Sequence, residues 1–387
     1  MLMPMRVGLP SHPYSFLIEK RGSLIVAQDS RGRIQYSGTD AASVIQSAIN
    51  ALGTDGGKIF IRRATYPLGA ATLTVTFPST DFELGIICEE GTIFTSSASK
   101  VIDVTNTAWV SGVSWLLKIE NLKIEHTTSA STDVTLDLMY SQPILRNVRL
   151  TETGYTRQAT AFKVGPTQGA GRPVSWIDCI ATNYRIGFDL SLDHLTLIKP
   201  IANDCKDIAF WLHDMEWTAL YSPDVWYTSA VYTTLKCFFV GHIGKGIRLY
   251  NVNVEGPSGY PLSNPIFNRD TSVSFWKKPE VFGFDAYPAG MTLDSASPTY
   301  VKIHAARGEY LTENNGTATF SGTGSQTQFT IPHGLAGTPK VAVVTAGSSD
   351  AKGDFYVTYD NTNIYVTYAT APPSGTNNVV LYWYAEM

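Results

Sequence analysis

Charge is what this chain has least of. Asp, Glu, Lys and Arg make up 16% of its 387 residues, against about 25% in an average soluble protein. Basic and acidic residues number 29 and 33, a formal net charge of −4. No bulk cationic field is present to hold a phosphate backbone, which excludes a general nucleic-acid binder. Long apolar runs are missing too, so no membrane span is expected. The four cysteines are Cys88, Cys179, Cys205 and Cys237. None lies in a CxxC pair, which argues against zinc, and no cofactor or metal is expected. Buried free thiols are the expectation, since free Cys packs as a small apolar group; one disulfide is the alternative. The start, Met1-Leu2-Met3-Pro4-Met5-Arg6, lacks a basic region followed by an apolar stretch, so no secretory signal is expected.

What replaces charge is Ser, Thr, Asn, Gly and Tyr, with 44% hydrophobic and 12% aromatic residues. That is ample for a core and excludes a disordered chain. Such a composition suits an extracellular or particle surface. The length exceeds one compact domain, for which about 100–200 residues is usual. An elongated domain followed by a smaller one fits.

Residues 1–38 read as a small β-meander, with alternating runs Tyr14 to Glu19, Ser23 to Gln28 and Arg33 to Ser37 punctuated by Arg21-Gly22 and Arg31-Gly32. A helix is expected over 40–52. Asp40 or Thr39 caps it, Val44, Ile45, Ala48, Ile49 and Leu52 share one face, and Gly53 ends it. Gly56-Gly57 and the short strand Lys58-Ile59-Phe60-Ile61 follow.

From there to about residue 255 two motifs recur. The first is small–Phe–x–aliphatic: Ala161-Phe162-Lys163-Val164, Gly187-Phe188-Asp189-Leu190, Ala209-Phe210-Trp211-Leu212 and Cys237-Phe238-Phe239-Val240, with Thr135-Leu136-Asp137-Leu138 as a looser copy. The second is apolar–x–Asn/Pro/Cys–apolar, as in Ile119-Glu120-Asn121-Leu122, Leu145-Arg146-Asn147-Val148, Ile177-Asp178-Cys179-Ile180, Ile198-Lys199-Pro200-Ile201 and Leu249-Tyr250-Asn251-Val252. A period of about 20–30 residues signals a solenoid, and short strands make it a β-solenoid. Outward positions of the first motif read Asp137, Lys163, Asp189. Those of the second read Glu120, Arg146, Asp178, Lys199. Both alternate in sign, as charges directly across paired strands should.

The block Ser37-Gly38-Thr39-Asp40-Ala41-Ala42, the helix to Leu52, Gly56-Gly57-Lys58-Ile59-Phe60-Ile61 and Thr65-Tyr66 resembles the start of pectate-lyase-like right-handed parallel β-helix proteins. That family includes viral and phage tailspikes. The resemblance implies an all-β fold: a right-handed parallel β-helix with a capping helix that plugs its open end. The β-helix domain is expected over 39–310, with an irregular C-terminal part at 257–310. Glu313-Asn314-Asn315-Gly316 reads as a linker. Residues 317–387 carry five alternating runs and are expected to form a small antiparallel β-sandwich. Their Ile331-Pro332-His333-Gly334-Leu335 and Thr338-Pro339 resemble a segment of terminal domains in tail-fibre proteins.

The polygalacturonase pattern of Asn-x-Asp, Asp-Asp, Gly-His-Gly and Arg-x-Lys is absent. Gly241-His242-Ile243 is partial, and Asn268-Arg269-Asp270 follows it in the wrong order. A hydrolase or lyase with other motifs would draw on Asp204, Asp214, Glu216 and Asp224. The most distinctive composition is at 210–239, where nine aromatics fall in thirty residues. Trp211, Trp217, Tyr221, Trp226, Tyr227 and Phe239, with His213, form the candidate glycan platform or subunit interface.

The resemblance therefore implies a virion spike or fibre protein at the particle surface. It would bind a host surface glycan or receptor, pack against other virion proteins and assemble as a homo-oligomer, a trimer. A polysaccharide-degrading enzyme and a purely structural virion protein are the alternatives.

Overall fold

A computed structural model describes residues 14–105, 114–127, 130–139, 141–154, 157–165, 174–213, 215–232, 234–241, 243–269, 279–287, 301–304, 311–335 and 337–387. Strands dominate. At the start Phe16–Arg21, Leu24–Asp29 and Ile34–Gly38 form the antiparallel meander. Phe16–Ile18 also pairs in parallel with Ile59–Ile61, which joins the meander to the coil that follows.

One helix, Ala41–Asn50, begins at Asp40, whose carboxylate accepts from the Ala42 amide at 3.0 Å. Ala41, Ala42, Val44, Ile45, Ala48 and Ile49 are its buried face. Its Gln46 does more than cap a space. The side-chain amide donates to Thr74 O at 2.9 Å and accepts from Thr74 N at 2.8 Å, so it satisfies a strand edge that would otherwise stay open.

Behind the helix, three lanes of parallel strands stack coil on coil. The first begins at Gly57–Ile61. It passes through the front halves of Phe82–Ser96 and Trp115–His126, then Gln142–Arg146, Val174–Ile177, Leu195–Ile198 and Ala219–Tyr221, and ends at Lys302–His304. The second begins at Thr65–Gly69 and includes Arg149–Glu152, Ile180–Thr182, Ile201–Asn203 and Asp224–Trp226. Arg248–Glu255 and Glu280–Tyr287 serve both lanes. The third runs from Leu73–Val75 through Lys100–Val104, Val134–Asp137, Thr160–Val164, Ile186–Leu190, Ile208–Leu212 and Lys236–Val240 to Phe267–Arg269. This is the parallel β-helix expected from the repeats. The strands at 267–269, 280–287 and 302–304 continue the lanes through the part expected to be irregular. Val273 to Trp276, which the sequence marks as a further strand-like run in that part, lies outside the described residues.

The first motif supplies the core of the third lane. Phe162, Phe188, Phe210, Phe238 and Phe267 form one stack, with successive ring centroids 4.8, 4.8, 5.2 and 5.1 Å apart. That spacing is close to the distance between neighbouring strands, so each coil adds one ring. All four cysteines are free and buried, and burial pushes each thiol up.

The second motif marks a corner. Between the first and second lanes seven successive coils turn on one residue of positive φ: Asn121, Asn147, Asp178, Lys199, Ser222, Asn251 and Gly283. Asn is well suited to that conformation. Its amides also ladder between coils, with Asn147 Nδ2 donating to Asn121 Oδ1 at 3.1 Å. The corner corrects one sequence reading. Arg146 stands beside Ile177, Ile177 beside Ile198, and Ile198 beside Tyr221. Asp178 and Lys199 are the corner residues one step further on, so the ladder Glu120, Arg146, Asp178, Lys199 does not exist beyond its first pair. The apolar motif slipped by one because the corner residue changes from Asn to Asp and Lys while its φ stays positive. The first ladder, Asp137, Lys163, Asp189, has the expected register and continues into Trp211 and Phe239. Its side chains find partners elsewhere: Lys100 pairs with Asp137 at 2.8 Å, and His213 Nε2 lies 2.6 Å from Asp189 Oδ1.

The C-terminal module has two three-stranded antiparallel sheets. One holds Glu313–Gly322, Gly375–Glu386 and Val341–Ala346; the other holds Gln328–Pro332, Asn363–Tyr368 and Phe355–Tyr359. They enclose a shared core that includes Phe329, Ile331, Val366, Val379 and Leu381. The residues read as a linker, Glu313 to Gly316, are the start of a ten-residue strand. Their polar composition hid it, because the strand's outer face is solvated. His333 is fully buried and shapes its turn. Its Nδ1 accepts from the Leu335 amide at 3.0 Å, and its Nε2 donates to Asp360 O at 3.2 Å.

Candidate functional site

The aromatic stretch 210–239 winds once around the β-helix, and this decides what its residues can do together. Trp211 and Phe239 are outward neighbours on the third lane, ring centroids 5.9 Å apart. The His213 ring lies 4.8 Å from Trp211. Gly241 leaves room for it, since a Cβ there would fall 2.7 Å from His213 Cβ. Trp217 occupies the next corner at φ 53° and is 57% exposed. Glu216 precedes it, its amide donating to Asp193 Oδ1 at 2.7 Å. Tyr221 points outward from the first lane, and Asp224 and Trp226 from the second. Tyr227 is buried. Its hydroxyl donates to Tyr260 O at 2.9 Å, and its ring packs on Gly256. Asp204 sits at the second-to-third corner, where its carboxylate accepts from the Thr228 amide at 2.7 Å. Asp214 lies outside the described residues.

The expected single platform is therefore split over three faces, and Tyr227 belongs to the core. Sequence neighbours in a solenoid are separated by its corners. Residues that share a face come from different coils. Grouped that way, Trp226 gains partners that sequence reading missed. Beside it on the second lane stand Asn203 in the preceding coil and Glu255 in the following one. Asp224 has Ile201 and Asn253 in the same places. The signal was available: the copy Leu249-Tyr250-Asn251-Val252 sets Tyr250 beside Tyr221, and counting on from it reaches Asn253 and Glu255.

This patch joins an accessible aromatic ring to convergent polar groups. Trp226 is 45% exposed, and among the described residues no ring stacks on it. Asn253 Nδ2 donates to Asp224 Oδ1 at 3.0 Å. Burial pushes the Asp224 carboxyl above its ordinary range, the Asn253 hydrogen bond opposes this, and the Glu255 carboxylate adds to it. Asn203 Oδ1 is buried without a hydrogen-bond partner. An open indole face beside two carboxylates and two amides can take the C–H face of a sugar ring and bind its hydroxyls. A hollow of about 200 Å³ lies elsewhere, lined by Glu90, Asn121, Lys123, Asn147 and Arg149. Among the described residues no group of three or more His, Cys, Asp or Glu is placed to hold a metal ion. No helix among them is long and apolar enough to cross a membrane.

The lanes, their register and the capped end define the class: a parallel β-helix closed at one end by a helix. No protein-family model and no curated protein sequence matches the chain. Among solved structures it is similar to ORF18 of Geobacillus virus E2, at 11% identity over 86% of this chain and 75% of that one, with a TM-score of 0.44. It is also similar to the tailspike protein gp49 from Pseudomonas phage LKA1, at 12% identity over 85% and 67% of the two chains, TM-score 0.34. A third is the Gp54 tailspike of Acinetobacter baumannii bacteriophage AP22, solved in complex with A. baumannii capsular saccharide, at 8% identity over 90% and 94%, TM-score 0.24. At these identities the likeness is one of fold.

Proposed function

We propose that the chain is a virion attachment protein, a spike or tail fibre at the particle surface, that binds a host surface glycan. The β-helix, residues 39–310, is the shaft and carries the sugar-binding face. Residues 1–38 and the module at 317–387 flank it and meet other virion proteins, and the protein works as a homo-oligomer, a trimer. One observation carries the glycan reading: the unstacked Trp226 ring set among Asn203, Asp224, Asn253 and Glu255. Capture of the purified chain on immobilised host surface polysaccharides tests it. Trp226→Ala is expected to weaken capture by about tenfold, the equivalent of one aromatic contact of about 1.4 kcal/mol. No capture by any host polysaccharide, together with tight binding to another virion component, favours the purely structural reading instead.

A second reading follows from Asp224. A carboxyl pushed up beside an acidic neighbour is how a polysaccharide hydrolase separates its acid from its base. Release of reducing ends that is lost in both Asp224→Asn and Glu255→Gln supports it. Intact polysaccharide after prolonged incubation, with neither reducing ends nor unsaturated product, removes it.

A further inference from the structure

The corner between the second and third lanes is built unevenly, and this gives the Trp226 face a back wall. Two coils turn it with little chain: 183–185 join Ile180–Thr182 to Ile186–Leu190, and 204–207 join Ile201–Asn203 to Ile208–Leu212. The coils on either side spend more, 153–159 before Thr160–Val164 and 227–235 before Lys236–Val240. The turn needs only the shorter length, so the extra chain stands out from it. Both long segments lean over the short corners between them. Arg185 Nε donates to Gln158 O at 3.0 Å, and the Thr228 amide and hydroxyl donate to Asp204 Oδ1 at 2.7 and 2.9 Å. They meet where the Arg157 guanidinium lies 4.7 Å from the centre of the Tyr232 ring. The result is one ridge along the solenoid axis, with Val231, 70% exposed, on its crest. The opposite border of the lane has no ridge, because these coils turn there on a single residue, Asp178, Lys199 or Ser222.

We infer that the Trp226 face takes an uncharged polysaccharide lying lengthwise along the foot of this ridge, gripped over several consecutive sugar units rather than at one terminal sugar. The inference rests on the glycan reading proposed above and names its ligand class. The floor is one outward column: Thr182, Asn203, Trp226 and Glu255 on four successive coils. Steps of about 4.8 Å between coils make it about 14 Å long. Across the lane, the strand Asp224–Trp226 has three residues, about 10 Å, and the ridge closes one side. A chain laid crosswise would have to climb the ridge after one sugar contact. A chain laid lengthwise meets a carboxylate, an indole face, an amide and a hydroxyl in turn. The column beside this one is Ile180, Ile201, Asp224 and Asn253. Among these eight residues are two carboxylates and no Lys or Arg. The carboxylates accept from sugar hydroxyls but repel an acidic sugar. Arg149 lies one coil beyond the floor, beside Ile180, and Lys199 shares the far corner with Asp178. The first lane offers no such floor. Its Tyr221, Tyr250, Phe282 and His304 rings stack with centroids 4.7, 5.2 and 4.6 Å apart, so each ring covers the face of the next.

Two measurements test this. The first needs no variant. Host surface polysaccharide is separated on an anion exchanger into neutral and retained anionic fractions, and each is offered to the full chain at low salt. Capture of the neutral fraction is expected to be about tenfold stronger. Fragments of that fraction then compete with it, and tetrasaccharides are expected to compete about tenfold better than disaccharides. The second measurement uses Thr182→Trp, which obstructs the floor two coils from Trp226, beside Ser175→Trp on the first lane of the same coil. Thr182→Trp is expected to weaken capture about tenfold and to remove the tetrasaccharide advantage, with an unchanged far-ultraviolet circular dichroism spectrum. Ser175→Trp is expected to bind as the wild type does. Stronger capture of the anionic fraction overturns the ligand class. Equal competition by disaccharides and tetrasaccharides, or wild-type binding by Thr182→Trp, overturns the lengthwise path; a loss of capture in Trp226→Ala then leaves the glycan reading standing. Capture of neither fraction overturns both.

Discussion

At the scale of single residues, position around the coil matters more than residue type. Tyr221 and Trp226 are both exposed aromatics five positions apart. One lies in a ring stack that hides its faces, and the other stands open among polar groups. His126 makes the same point inside the fold. It is fully buried. Its Nε2 donates to Ala98 O at 2.6 Å, and its Nδ1 lies 2.7 Å from Thr135 Oγ1. Burial lowers its pKa below the ordinary value of 6.5, against the opposing pull of the Ala98 bond and of Asp133 and Glu152. A base whose pKa falls on folding binds protons more readily when unfolded. Its stabilising contribution is full above about pH 6.5 and is lost as pH falls through the folded value. Urea midpoints are therefore expected to drop between pH 7.5 and 5, and less steeply in His126→Gln; equal slopes would refute this. Gly256 is a second case. A Cβ there would lie 1.9 Å from Tyr227 Cζ, so Gly256→Ala is expected to lower the melting temperature by displacing a buried ring.

At the scale of elements, the sequence was most legible where spacing is set by the backbone. The capping helix, the meander and the phenylalanine stack all follow from periodicity, because burial forces a repeat of apolar residues. The corner was less legible. Positive φ is satisfied by Asn, Asp, Lys, Ser or Gly in different coils, so no single letter marks it, and the second ladder slipped by one after Arg146. The strand from Glu313 was hidden for the opposite reason: its composition is that of a loop. Two element-level outcomes are expected. Phe210 lies between two stacked rings in the core. Its replacement by Ala should cost about 3–5 kcal/mol in chemical denaturation. Gln46→Leu removes both bonds to Thr74 and uncovers a strand edge. It should cost about 1–3 kcal/mol and raise concentration-dependent aggregation by light scattering. Wild-type behaviour in either variant would contradict the role given to that residue.

At the scale of the whole molecule, the low charge noted at the outset acquires an arrangement. Each lane spends its few charges differently. The third lane ties Asp137 and Asp189 to Lys100 and His213. The first lane pairs Lys118 with Glu120 and Arg248 with Glu280. The second leaves Asp224 and Glu255 around Trp226. The candidate site was only half legible in the sequence. Trp226 and Asp224 stood out by composition, but Asn203, Asn253 and Glu255 come from other coils, and only the register joins them. The proposed function requires that this second-lane patch bind a saccharide. Its most direct test is equilibrium binding of a host surface polysaccharide to the full chain, wild type against Trp226→Ala, with Tyr356→Ala on the C-terminal module as the control. Binding that falls about tenfold in the first variant and is unchanged in the second is the predicted result. Equal affinity in the wild type and Trp226→Ala would contradict it.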